Sequence, residues 1–119
     1  MNYKLDLNDR PFKAIKAGTK KIETRVPTSY DQTPYSELKP GDTLTFTNNV
    51  TQEVMNVEIF GVRNYPGVRA MLEAEGTRNT LSSGLDIDSA IERYNTVFEE
   101  YKENILKYGI FAIEIKPIL

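Results

Sequence analysis

The sequence predicts an α+β fold, a small mixed β-barrel with flanking helices, formed by a single domain over residues 1–119. A chain of 119 residues has the size of one domain with one core. Several short segments alternate apolar and polar residues, which is the pattern of half-buried strands. Helical segments do not alternate regularly with these strands, so a mixed barrel is favoured over a doubly wound parallel sheet.

Elements expected in the first half of the chain are a strand at 3–7, a helix at 10–17 and a strand at 20–26. Gly18 follows the apolar stripe of the helix and can supply its left-handed end. Residues 27–41 are expected to form a long loop, because prolines interrupt the segment and no period is present. Tyr30 and Tyr35 in this loop either stack on a base or lie over the rim of the core.

Elements expected in the second half are strands at 43–47 and 53–62, a short helix at 68–76, a long helix at 86–106 and a strand at 110–115. Asn48-Asn49 is a plausible hairpin turn between the first two strands, and Gly61 marks a bulge or a close approach. The long helix is predicted to begin at an Asp86 or Asp88 cap. It carries an apolar stripe opposite a row of glutamates, which indicates a core face and a solvated face.

The composition excludes several kinds of chemistry. The chain has no cysteine and no histidine, which removes disulfides, thiolate sites, imidazole bases and nearly every zinc site. Catalysis would have to use carboxylates, lysines, tyrosines or hydroxyls. No glycine-rich phosphate loop or metal-binding spacing is present, so no cofactor or metal is expected. No apolar run is long enough to cross a membrane, so a soluble, cytoplasmic protein with no membrane partner is expected.

Charge is distributed unevenly along the chain. Residues 1–39 hold eight Lys/Arg and five Asp/Glu, a net charge of +3, whereas residues 40–119 hold seven and twelve, a net charge of −5. A basic patch on an acidic body suits a short or single-stranded nucleic acid better than duplex DNA. Ordinary fluctuation of surface charge is an equally good explanation of this split.

The basic residues are concentrated at 18–25, where Lys20, Lys21, Glu23 and Arg25 follow Gly18. In a strand, Lys21, Glu23 and Arg25 share one side. Arginine and lysine beside aromatic rings are typical of sites for single-stranded nucleic acid. The alternative is an exposed ion pair on a sheet edge, worth about 0–1 kcal/mol.

Glu75 is a second candidate. It lies in the last turn of the short helix, where a carboxylate is unfavourable against the helix dipole. Its position therefore calls for a nearby cation or a functional role.

The order of these residues resembles the ASCH domain family over essentially the whole chain. The resemblance rests on Pro11-Phe12, Ile15, Gly18-x-Lys20-x-Ile22-Glu23-x-Arg25, Gly41-Asp42-x-Leu44-x-Phe46, Tyr65, Met71-Leu72-x-x-Glu75-Gly76, Tyr94 and Gly109-x-x-Ala112-Ile113. It implies a PUA-like β-barrel, an association with RNA, and a cleft lined on one side by the Gly-x-Lys segment.

The resemblance also implies a possible activity. Some bacterial members are amidohydrolases that remove the acetyl group from acetylated cytidine nucleosides with a lysine, a threonine and a glutamate. The lysine falls on Lys20 and the glutamate on Glu75, whereas the threonine position holds Glu23. Thr24 is adjacent, but one strand step turns it to the other face. Lys20 and Glu23 share a site only if Lys20 still lies in the turn after Gly18, or if a bulge intervenes.

We therefore expect a domain that binds RNA or a modified nucleoside in a cleft lined by Lys20, Glu23, Arg25 and Glu75. The expected ligand contacts are phosphate or ribose for Lys20, Lys21 and Arg25, a base edge or a water for Glu23 and Glu75, and base stacking for Tyr65 and Tyr94. The position of Tyr94 in the helical stripe also fits a core residue.

Two alternatives belong to other classes. The first is a hydrolase, either an amidohydrolase or a ribonuclease, with Lys20, Glu23 and Glu75 as catalytic residues. The second is a protein-interaction module whose working surface is the acidic helix at 86–106.

Overall fold

A computed structural model describes residues 1–118, and its framework is one curled five-stranded sheet that forms half of a barrel. The strands are β1 (Asn2–Leu7), β2 (Ile22–Arg25), β3 (Thr43–Asn48), β4 (Val54–Tyr65) and β5 (Ile110–Pro117). Their order in the sheet is β1-β3-β4-β5-β2. Only the β1–β3 pair is parallel within this described part of the chain. The predicted α+β class, with its mixed sheet, is confirmed.

Five α-helices surround the sheet of the described chain: α1 (Asp9–Ala17), α2 (Val68–Glu75), α3 (Thr77–Thr80), α4 (Ile87–Thr96) and α5 (Tyr101–Tyr108). Gly18 ends α1 in the left-handed conformation, with φ of 83°, and its N–H bonds to the α1 carbonyls, as predicted. A single 3₁₀ turn, Tyr35–Glu37, lies within the long loop at 27–41. None of the described helices is both long and apolar enough to span a bilayer.

The prediction of one helix at 86–106 is wrong, because two helices occupy this segment. The predicted Asp86 cap is present, since its side chain accepts a hydrogen bond from the Ser89 N–H at 2.8 Å. The break lies at Glu100, which has φ of 69°. The Glu100 carboxylate accepts hydrogen bonds from the N–H and the hydroxyl of Ser29, so the break anchors the long loop against the helices.

Strand β4 continues to Tyr65, beyond the end predicted near Val62. The pairing register of β4 with β5 shifts between Ile59 and Gly61, where the sequence had indicated a bulge. This extension carries Arg63 and Tyr65 alongside β5 rather than into a loop.

Two apolar clusters form the core. One cluster contains Phe12 and Ile15 of α1, alternate residues of β1, β3 and β4, and Tyr35, which is only 1% exposed. Tyr35 is therefore a core residue and is not available to stack on a base. In the other cluster, α2, α4 and α5 pack against Ile22 of β2 and Ala112 of β5. Strand alternation explains the division, because successive side chains of β5 enter different clusters.

Candidate functional site

A cavity of about 680 Å³ lies where the two edge strands of the sheet, β1 and β2, approach each other. The Arg25 guanidinium crosses the gap and donates a hydrogen bond at 2.9 Å to the backbone carbonyl of Asp6. The walls come from β1, the start of α1, β2, the loop after α3, and α4. Its volume lies within the range of about 300–1,000 Å³ that is usual for small-ligand sites.

Lys20, Glu23 and Arg25, here called the Glu23 cluster, form one wall of the cavity. The Glu23 carboxylate accepts a hydrogen bond from Arg25 Nε at 2.9 Å, and its other oxygen lies 3.4 Å from Lys20 Nζ. Lys20 and Glu23 are 6% and 5% exposed. These two residues therefore share one site.

Lys20 and Glu23 were expected to share a site only if Lys20 lay in the turn after Gly18 or if a bulge intervened, and the first of these conditions is met. Strand β2 begins at Ile22, so Lys20 still lies in the turn after Gly18 and does not follow strand alternation. Its ammonium bonds to two backbone carbonyls, Ile22 O at 2.5 Å and Thr80 O. These contacts draw Lys20 back toward Glu23.

Burial and charge act in opposite directions in the Glu23 cluster. Burial opposes ionisation of Glu23, but Arg25 and Lys20 outweigh it, so the pKa of Glu23 is lowered. Burial lowers the pKa of Lys20, and the attraction of Glu23 only partly compensates. At neutral pH the cavity wall therefore presents a carboxylate between two basic groups.

Glu75 lies outside the residues that line the cavity. Its carboxylate accepts hydrogen bonds from Arg63 at 2.5 and 2.9 Å and from the Tyr65 hydroxyl at 2.5 Å. Arg63 is thus the cation that the position of Glu75 at the end of α2 called for, and its hydrogen bonds lower the pKa of Glu75. We call Arg63, Tyr65 and Glu75 the Glu75 cluster.

Lys21 is exposed and lies outside the cavity lining. It precedes β2, and its N–H donates a hydrogen bond to the carbonyl of Asn79 in α3. The expected set of site residues is therefore divided: Lys20, Glu23, Arg25 and Tyr94 line the cavity, whereas Lys21, Tyr65 and Glu75 do not.

Tyr94 lines the cavity and belongs to the core as well. It is 7% exposed and its ring packs on Tyr101 and Phe98. Its hydroxyl lies 2.6 Å from the hydroxyl of Thr24, and burial raises the pKa of Tyr94 to about 12. Thr24 also lines the cavity, because it belongs to β2, the edge strand that the cavity borders.

Three cavity-lining cations were not singled out from the sequence: Lys4 of β1, Arg10 of α1 and Arg93 of α4. All three are exposed, and within residues 1–118 none is ion-paired with a carboxylate. We call them the rim cations. Asp6, also exposed, is the only acidic residue on this rim of the described structure; the other lining acids, Glu23 and Asp31, are ion-paired with Arg25.

No cluster of potential metal ligands is found among the described residues. The cavity is a cation-rimmed pocket with mixed polar and apolar walls in the open side of a half-barrel. Fold and site together define an α+β half-barrel domain with a cation-rimmed cavity.

Comparison with known proteins gives the family. The ASCH domain model matches residues 5–119. The chain belongs to the ASCH domain family, as its sequence resemblance indicated, and this family is generally associated with RNA. A search of curated proteins returned no match.

Solved structures agree with this assignment. The hypothetical protein PH0355 is 35% identical, with a TM-score of 0.81 over 99% of this chain and all of that one. Protein PF0455 from Pyrococcus furiosus is 33% identical, with a TM-score of 0.72 over 99% and 98% of the two chains. A mutant of the ZmASCH protein from Zymomonas mobilis shares the fold at 14% identity, with a TM-score of 0.59 over 97% and 73%.

Proposed function

We propose that this ASCH domain binds single-stranded RNA, with one nucleotide in the cavity and adjacent phosphates on the rim cations. The observation that carries the proposal is the rim itself. Lys4, Arg10 and Arg93 come from three separate elements, meet around one cavity, and lack carboxylate partners within the described chain. Unpaired cations around a cavity large enough for a nucleotide are suited to a phosphate chain that carries a base.

The interior of the cavity favours a base over an ion. Apolar and aromatic side chains, among them Leu81, Phe98 and Tyr101, line it beside the Glu23 cluster. Such mixed walls bury an apolar ring and fix its orientation through a few polar groups. A phosphate would be poorly placed against Glu23, because both charges are negative. The phosphate is therefore expected at the rim and the base inside.

The test is equilibrium binding of a short, end-labelled single-stranded RNA, measured by fluorescence anisotropy at several salt concentrations. Arg10→Ala and Arg93→Ala are each expected to weaken binding and to reduce the salt slope by about 0.7 for a lost phosphate contact. Arg69→Ala is the matched control, because Arg69 is exposed, outside the cavity lining and paired with Asp88. Absence of RNA binding, or equal effects of all three variants, would overturn the proposal.

Hydrolysis of an acylated cytidine nucleoside is a second candidate, favoured by the lowered pKa of Lys20. Two features weigh against it. The Lys20 amine is engaged with the Ile22 carbonyl, the Thr80 carbonyl and Glu23, and Glu75 is held by Arg63 outside the cavity lining. Incubation of the wild-type protein with acetylated cytidine decides the question, since release of acetate at catalytic turnover would support the hydrolase and its absence would reject it.

A further inference from the structure

In the Glu23 cluster, the hydrogen-bond donors of Lys20 are fully engaged, whereas Glu23 keeps free acceptor positions. A lysine ammonium has three donors and no acceptor. The three acceptors around Lys20 are the carbonyls of Ile22 and Thr80 and the carboxylate of Glu23. Lys20 therefore has no donor left for a ligand, although its charge still acts on the cavity.

Glu23 is in the opposite situation. Two carboxylate oxygens offer about four acceptor positions. Arg25 and Lys20 occupy one on each oxygen, at 2.9 and 3.4 Å. The lowered pKa keeps the group ionised, so the carboxylate retains acceptor capacity and has no proton to donate. The cavity wall at Glu23 is an acceptor, despite the basic residues around it.

Two further cavity groups lack partners. Among the described residues, the hydroxyls of Thr28 and Thr80 are buried and make no hydrogen bond. Both residues line the cavity, and Thr80 is only 1% exposed. A buried hydroxyl without a partner is unfavourable, so a ligand that brings polar atoms to this part of the cavity would be favoured.

We propose that Glu23 is a specificity-determining residue, and that the cavity selects a nucleobase whose exocyclic amino group donates to its carboxylate. The inference rests on the proposed RNA binding. It assigns the bound nucleotide to the amino-bearing bases, cytosine, adenine and guanine, and disfavours uracil, which has no amino group. A hydrogen bond from a neutral donor to a charged acceptor is among the stronger kinds.

The amino group can be deleted without any other change to the ligand. A short uridine oligonucleotide would carry one central guest nucleotide in three matched pairs: guanosine with inosine, adenosine with purine riboside, and cytidine with pyrimidin-2-one riboside. At least one amino-bearing guest is expected to bind roughly ten- to a hundredfold more tightly than its partner without the amino group. The pair that discriminates identifies the base.

A carboxylate in the same cavity provides the matched control. Asp31 lines the cavity and accepts a hydrogen bond from the Tyr35 hydroxyl at 2.5 Å. Glu23→Gln is expected to remove the discrimination between the paired guests, whereas Asp31→Asn should keep it. The wild-type comparison stands by itself if either variant fails to fold.

The outcomes separate the two proposals. If oligonucleotides bind but none of the three pairs discriminates, the role of Glu23 is rejected while RNA binding stands. Loss of discrimination in Asp31→Asn but not in Glu23→Gln also rejects the role of Glu23. If no oligonucleotide binds, the proposed function fails and this inference fails with it.

Discussion

The Glu23 cluster and the Glu75 cluster are each built on a glutamate–arginine pair, but their third member differs, lysine in one and tyrosine in the other, and they face different surroundings. In each, a carboxylate accepts a hydrogen bond from an arginine Nε, at 2.9 Å for Glu23 and 2.5 Å for Glu75. The arginine side chain is 15% exposed at Arg25 and 39% exposed at Arg63. Only the Glu23 cluster borders the cavity. An ion pair thus becomes a candidate site when its remaining hydrogen-bond capacity faces an accessible cavity.

The largest difference is expected when each carboxylate is removed. Glu23→Ala removes the carboxylate that pairs with the buried Lys20 and leaves Arg25 with Asp31 alone, at 3.7 Å, which should lower the free energy of unfolding by about 3–5 kcal/mol. Glu75→Ala leaves the partly exposed Arg63 able to bind water, so a loss of about 1–2 kcal/mol is expected. Urea denaturation of both variants measures the difference, and equal losses would contradict it.

A smaller difference is expected when the tyrosine hydroxyl near each cluster is removed. Tyr94→Phe leaves the buried Thr24 hydroxyl without its partner, at a cost of about 1–3 kcal/mol. Tyr65→Phe removes one donor from Glu75, which keeps Arg63, so about 0.5–1.5 kcal/mol is expected. Thermal unfolding of the two variants gives the comparison. A larger loss of stability for Tyr65→Phe than for Tyr94→Phe would contradict the expected order.

Acid sensitivity tests the charge of Glu23. Its pKa is lower in the folded protein than its unfolded value of about 4.3. The unfolded state therefore binds a proton more readily than the folded state. The contribution of ionised Glu23 to the free energy of unfolding is complete above the unfolded pKa and is lost as the pH falls toward the folded pKa. Urea denaturation across this acid range should show a shallower loss for Glu23→Gln than for wild type. If the free energies of unfolding of wild type and Glu23→Gln fall in parallel with pH, ionised Glu23 does not stabilise the folded protein as described.

The smallest expected effect concerns ligand binding. Glu75→Gln should leave the RNA affinity within roughly twofold of wild type, because Glu75 lies outside the cavity lining and is held by Arg63 and Tyr65. Fluorescence anisotropy with the same RNA checks this, with Arg93→Ala as the variant that should weaken binding. A loss of tenfold or more for Glu75→Gln would place Glu75 in the site despite its contacts.

The fold could be predicted largely from local patterns. Alternation identified the strands, and Gly18 and Asp86 marked helix ends through their own backbone and side-chain chemistry. The break at Glu100 could not be predicted in this way. No glycine or proline interrupts residues 86–106, and the break is anchored by Ser29, which is distant in the sequence.

The site was predicted only in part. The proximity of Glu23 and Arg25 could be expected, because the two residues share one side of a strand. The proximity of Lys20 and Glu23 could be expected only on the condition that Lys20 lay in the turn after Gly18 or that a bulge intervened. The rim could not be anticipated, because Lys4, Arg10 and Arg93 each resemble an ordinary surface cation until the fold brings them together. Glu75 was singled out by its position against the helix dipole and by the family resemblance. Its contact with Arg63 depends on the extension of β4 into residues expected to form a loop.

The sheet order has a consequence for how the protein acquires its site. Strand β5 follows the other strands along the chain, yet it lies between β4 and β2 and is the only strand among residues 1–118 that pairs with β2. During synthesis, β2 has no pairing partner until β5 has left the ribosome, and β4 exposes an unpaired edge that can associate wrongly. Because pairing over such a long sequence separation is slow, we expect the wall that carries Glu23 to form late in folding.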